Sequence, residues 1–419
     1  MTAASNRRVR RVSWLLAALV VAAALVASVW QWFLAQREEW LSSAPIPVLR
    51  AASERDPADH ELAYRLSFRL VTMGEHPEAA ARMESLVKKE PRSSLYWLGY
   101  ARAAAGAGEV ARAVNAYRRA AELAPNDADP AYSLAQVYAD AGLYRDALPL
   151  LEKASQHKTP TMVSLETWAE CLAALGKDQE AWDKAMQVIE HEPMQDTLYP
   201  VIAELGVRLR REEDAEKKLR RRIGLVRGYP TGMVRAPLAR LMLRRGTSAA
   251  LAEAEELARE AVRDPAPKPQ FTAALAEVLI ATGRRDEARS VLAREKAKRG
   301  ADPDCEELLA LLDRSPTLAD VASRLGRPRD SRVPDSAEVQ RLRQRLAGNP
   351  GDTEVRAALV RALQKSGRAG DGAEQCWVAL ETVPADPQFT KLLNECREQA
   401  LQQLANKIQS TPHALPGKS

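Results

Sequence analysis

The side chains that most often carry chemistry are few and scattered in this 419-residue chain. Its four cysteines, Cys171, Cys305, Cys376 and Cys396, include no CxxC pair of the kind that holds zinc or exchanges disulfides. Its five histidines, His60, His76, His157, His191 and His413, form no HExxH pair, so no metal site is expected and no cofactor is implied. No glycine-rich phosphate loop follows a strand pattern, no GxSxG elbow is present, and no Cys/His pair stands in a plausible helical context. The chain reads as a non-enzyme. Cys376 and Cys396 would sit on neighbouring helices, where they are either core residues or, in an oxidising compartment, a disulfide.

Composition says what elements could position any site. Hydrophobic residues make up 46% of the chain, aromatics 5% and charged residues 28%. Such a chain builds its interior from Ala and Leu, which favours helices packed closely through small side chains over a sandwich or barrel. The net charge of +5, from 61 basic and 56 acidic residues, argues for no nucleic-acid partner.

Residues 12–36, VSWLLAALVVAAALVASVWQWFLAQ, carry no charge and are long enough as a helix to cross a bilayer core of about 30 Å. Trp14 lies near one end and Trp30, Trp32 and Phe33 near the other, where amphipathic rings favour the headgroup boundary. A cleaved secretory signal is the alternative, but the bulky residues after Ser28 favour an uncleaved anchor. Arg7, Arg8, Arg10 and Arg11 precede the span, so residues 1–11 are expected in the cytoplasm and the chain beyond the span outside it, as in a single-pass inner-membrane protein.

Beyond the span the chain repeats with a 34-residue period. Gly74, Gly108, Gly142 and Gly176 keep it, as do Ala79, Ala113, Ala147, Ala181 and Ala215, and Pro57, Pro91, Pro125 and Pro193. Gly ends a first helix in the left-handed conformation it reaches cheaply. Ala lies on a second helix where anything larger would hold the pair apart, and Pro closes that helix. Each unit is therefore an antiparallel helix pair. Residues 43–300 are read as a half-repeat plus about seven pairs, with Arg210 at one glycine position and Gly246 and Gly283 marking later pairs. Residues 301–335 are irregular helices and a linker, 336–408 a second block with a capping helix, and 409–419 a frayed tail.

These residues resemble the tetratricopeptide repeat family. The second repeat fits its pattern with Trp97, Ala101, Ala104, Gly108, Ala113, Tyr117, Ala120 and Pro125, and the third with Leu134, Ala135, Tyr138, Gly142, Tyr144, Ala147, Leu151 and Ala154. The fourth and first are recognisable through Trp168, Ala169, Leu172 and Gly176, and through Leu66, Ser67, Leu70 and Gly74. The resemblance implies an all-α superhelix, here behind an N-terminal transmembrane helix. It also implies a groove lined by first helices, with Tyr64, Phe68, Leu98, Arg102, Tyr132, Gln136, Glu166 and Glu170 facing a protein or peptide partner. The alternative is that Tyr64, Phe68 and Leu98 merely fill space. The Lys/Asn clamp that some members use for acidic C-termini is absent from these positions. One family of lipopolysaccharide-assembly regulators shares the layout but ends in a paired-cysteine metal knuckle that this chain lacks.

The basic run at 208–228, with Arg220, Arg221, Arg222 and Arg227, reads as a solvated helix face paired with Glu212, Glu213 and Glu216, ahead of a lipid- or acid-binding patch. The expected function is a membrane-anchored scaffold for protein assembly in the bacterial envelope. The alternative is a regulatory or structural subunit of a membrane complex, of the envelope-biogenesis or cytochrome c maturation type, that binds through its transmembrane helix.

Overall fold

A computed structural model describes residues 28, 31–32, 35–225, 230–300, 302–314, 316–325 and 335–410. The described residues are helical, with no strand among them. The expected span at 12–36 lies almost wholly outside them, as do the basic tail at 1–11, linker residues 326–334 and the end of the chain at 411–419. No helix among the described residues is long and apolar enough to cross a membrane.

The chain divides into two compact units, Met1–Leu123 with Ile408–Ser419, and Ala124–Lys407. In the first, α1 (Ile46–Arg55) packs on α2 (His60–Thr72), followed by α3 (His76–Lys89), α4 (Ser94–Gly106) and α5 (Val110–Leu123). In the second, the pairs are α6 and α7 (Asp129–Asp140, Tyr144–Ser155), α8 and α9 (Met162–Ala174, Asp178–His191), and α10 and α11 (Tyr199–Arg208, Glu212–Leu225). They continue with α12 and α13 (Gly232–Arg245, Ser248–Val262), then α14 and α15 (Pro269–Ala281, Arg285–Arg299). After these come α16 (Pro303–Leu312), a short α17 (Leu318–Ala322), α18 (Ala337–Gly348), α19 (Thr353–Lys365), α20 (Ala369–Thr382) and α21 (Pro387–Ser410). Gln409 and Ser410, expected in the tail, thus continue the last helix.

The sequence markers do in space what their chemistry requires. Gly74, Gly108, Gly142, Gly176, Gly246, Gly283 and Gly367 all have φ between +67° and +79°. At the first of these the amide after the glycine turns back to the helix, Glu75 N donating to Leu70 O at 2.9 Å, which satisfies a carbonyl the helix end would leave open. Arg210 holds the same conformation at φ +56° without being glycine. Seven alanines five or more residues beyond these turns, Ala79, Ala113, Ala147, Ala181, Ala215, Ala254 and Ala288, are fully buried. Asp59, Ser93, Thr161 and Asp352 cap the amides that open α2, α4, α8 and α19.

In both units first helices pack on first helices, α2 on α4, and α6, α8, α10, α12, α14 and α16 in succession. Each second helix packs on the next first helix of the same unit. One face of every pair is thereby left to its first helices.

Residues 335–407, from α18 through most of α21, also belong to the second unit and meet the start of α7 and the glycine turn before it. Arg145 pairs with Glu374 at 2.8 Å and with Glu381, and Arg397 pairs with Asp146. The Arg397 guanidinium also lies over the Trp377 ring, 5.4 Å from its centre. Gly370 approaches so closely that a Cβ there would stand 2.9 Å from Gly142 O, a backbone atom with nowhere to go. Gly370→Ala should therefore cost about 1–3 kcal/mol and loosen the block from this turn. Hydrogen exchange should show faster exchange at residues 369–382 with the α8–α9 pair unchanged; unaltered protection throughout would contradict the contact.

Candidate functional site

The positive-φ residue that ends each first helix supplies a ruler along the first-helix face. Six residues before it lie Phe68, Arg102, Gln136 and Glu170, four of the positions expected to meet a partner, and ten residues before it lie Tyr64, Leu98, Tyr132 and Glu166, the other four. The two rows behave differently.

The nearer row is open. Phe68 is 51% exposed, a large apolar side chain that the first unit leaves in water, and Arg102 is exposed one first helix further on. Gln136 is exposed and Glu170 half-buried in the second unit.

The other row is largely packed. Tyr64 is half-buried, its ring 5.7 Å from that of Tyr96, and burial raises its hydroxyl pKa while Arg102 pulls the other way. Gly99 makes room for this: a Cβ there would lie 3.3 Å from the Tyr64 ring and 2.5 Å from the Met83 methyl. Leu98 is only 6% exposed and Tyr132 7%. The Tyr132 hydroxyl donates to Lys158 O at 2.9 Å and so fastens the turn ahead of α8 to α6. Glu166 accepts from Gln195 at 2.5 Å and from Thr197, which ties α8 to the connection before α10. Leu98 and Tyr132 are thus interior side chains. They support the face rather than form it.

The basic run at 208–228 also resolves into two kinds of residue. Arg220 pairs with Glu216 at 2.7 Å and Glu253 at 2.6 Å, as a solvated face laced with ion pairs should. Arg222 departs from that expectation. It is fully buried and binds Asp196 with two donors, at 2.6 and 2.9 Å. The signal was present in the spacing, because Ala215, Leu219 and Arg222 form one helical stripe.

The cysteines are all buried free thiols. Burial pushes Cys171 and Cys305 up to about 12, so neither is a nucleophile at neutral pH. The hydrogen bond from Cys376 to Cys396, helped by burial, holds the Cys376 thiol protonated, and the two sit side by side where α20 meets α21. Among the described residues no group of three His, Cys, Asp or Glu is placed to hold a metal ion. A cleft bordered by Gly142, Tyr144, Arg343, Arg368, Asp371 and Glu374 has its guanidiniums already paired, Arg368 with Asp335 and Asp371 and Arg343 with Asp335.

Residues 106–187, from the end of α4 into α9, match a family model described as anaphase-promoting complex, cyclosome, subunit 3. No curated protein matches the chain. Among solved structures it is similar to a tetratricopeptide repeat protein from Parabacteroides merdae, at 15% identity over 66% of this chain and 94% of that one, with a TM-score of 0.39. It is also similar to MamA from Desulfovibrio magneticus, at 18% identity over 39% and 93% with a TM-score of 0.36, and to PilF of Pseudomonas aeruginosa, at 15% over 51% and 95% with a TM-score of 0.40. With helix pairs at a 34-residue period, the described residues form an all-helical, tetratricopeptide-like repeat.

Proposed function

We propose that this chain is a membrane-anchored scaffold that gathers partner proteins on the first-helix faces of its repeats in the bacterial cell envelope. The observation that carries the reading is the open row. A folded unit that leaves Phe68 half in water beside the half-buried Tyr64, with an exposed arginine on the next first helix, presents the aromatic and guanidinium groups that dominate protein-protein contacts. In the second unit Gln136 and Glu170 hold the same row position and offer that unit's own polar contacts. The uncharged run at 12–36 supports a single span, and the arginines before it support a cytoplasmic N-terminus with the repeats outside. Alkaline-phosphatase and fluorescent-protein fusions after residue 40 read the orientation.

The double variant Phe68→Ala, Arg102→Glu tests the face. Both side chains are exposed, so the fold should be unperturbed while recovery of the native partner falls about tenfold or more, the loss of about 1.4 kcal/mol or more expected at an anchor residue. Full recovery by a variant with a wild-type melting curve would move the partner site elsewhere. Leu98→Ala and Tyr132→Ala do not serve, because they would damage packing first.

A further inference from the structure

The open row does not stay open. Six residues before Gly246 and Gly283, the same ruler lands on Arg240 of α12 and Glu277 of α14, and before Arg210 on Glu204 of α10. Glu277 is only 2% exposed and Glu204 6%. Over Arg240 and Glu277 the cover is the chain itself. After α16 the helix-pair order predicts a second helix packed beside its partner. Instead α17 lies on the first helices α12 and α14.

The covering segment, residues 316–325, is short and one-sided. Val321 on α17 and Arg324 and Leu325 in the turn that follows it are buried, while Thr317, Ala319, Asp320 and Ser323 face solvent. Its centre is Arg324, 4% exposed. The guanidinium donates to Glu277 at 2.9 Å and pairs with Glu307 at 2.5 Å and Asp304 at 3.6 Å, both on α16. Arg240 holds the same Glu277 from the other side, at 2.7 and 3.2 Å. Burial works against both positive charges, but Glu277 and its neighbouring carboxylates outweigh it and hold each guanidinium above its ordinary pKa. Two further arginines clasp the segment by its backbone, Arg244 donating to Ala322 O at 3.1 Å and Arg285 to Pro316 O at 3.2 Å.

A cover needed only for stability would be served as well by apolar residues, because buried ion pairs seldom outperform them. Three carboxylates converging on one guanidinium instead form a reader for arginine. We infer that the face of α12, α14 and α16 is a second partner site, one that takes an arginine-bearing peptide segment, and that residues 316–325 are its built-in occupant. A partner's arginine takes the place of Arg324, and the segment swings off α12 and α14. The inference rests on the reading of the chain as a protein-binding scaffold.

The probe is a fluorescein-labelled peptide of residues 316–325, PTLADVASRL, titrated by anisotropy into the full chain in detergent solution. The wild-type chain should bind it weakly, because its site is filled, and Arg324→Ala should bind it about tenfold or more tightly once the occupant is loosened. Adding Glu277→Gln should abolish that gain, and a peptide with Ala for Arg should bind neither protein. Equal, weak binding by wild type and a folded Arg324→Ala protein would overturn the inference, as would a failure of Arg324→Ala to fold, since the segment would then be fixed core. Either result leaves partner recovery through Phe68 and Arg102 untouched, so the two readings fail separately.

Discussion

Ala147→Arg is expected to destabilise the second unit by about 3–5 kcal/mol, the cost of an unpaired charge forced into a packed interior. Ala147 is fully buried on α7, where the methyl is all the space the paired helices leave. The same reasoning gives an in-helix control on α5. Ala113 is fully buried and Ala111, two residues earlier, is exposed, so Ala113→Arg should match the loss while Ala111→Arg should stay within about 0.5 kcal/mol of wild type. Thermal and urea melts followed by circular dichroism compare the three. A wild-type melt for Ala147→Arg would show the repeat register to be wrong.

Arg222→Ala should cost a similar 3–5 kcal/mol for the opposite reason, since it strands a carboxylate rather than adding a cation. Asp196 then loses both of its charge-assisted bonds while remaining half out of water. In the wild-type protein burial already raises the Asp196 pKa, Asp264 adds to the rise, and Arg222 opposes it. Removing Arg222 raises it further. A carboxyl whose folded-state pKa lies above its unfolded value takes up its proton first in the folded protein, so folding gains stability as pH falls through the folded pKa. The deficit of Arg222→Ala relative to wild type should therefore shrink on acidification. Replacing the pair together, Asp196→Leu with Arg222→Met, should recover most of the loss, because no buried charge is left behind. A deficit that is flat with pH and persists in the double variant would mean that the ion pair is not what holds α11 to the connection before α10.

Much of this architecture is legible in the sequence because one residue type performs one task at each turn. Small side chains at 34-residue spacing mark where helices touch, and glycines mark where first helices end. The ruler even survives the loss of its usual residue at Arg210, which adopts the left-handed conformation all the same. What periodicity leaves out is how much the neighbouring helix covers. Leu98 and Tyr132 occupy positions equivalent to Tyr64, yet they are sealed while Tyr64 is half open. Arg222 falls at a position that Ala120 and Ala154 fill in earlier repeats, and its charge hides its place in the core stripe. The return of residues 316–325 onto α12 and α14 depends on Glu277, 47 residues before Arg324, and no local pattern announces so distant a partner. The span at 12–36 is a reading of the sequence alone.

Partners held on the first-helix face lie within reach of side chains placed there. Photo-crosslinking reads this directly, with benzoylphenylalanine placed singly at Phe68, Arg102 and Gln136 and, as controls, at Ser85 and Asn115, exposed residues on the second helices α3 and α5. In cells, adducts should form from the three first-helix sites and not from the two controls. Adducts from Ser85 and Asn115 with none from Phe68, Arg102 or Gln136 would contradict the account.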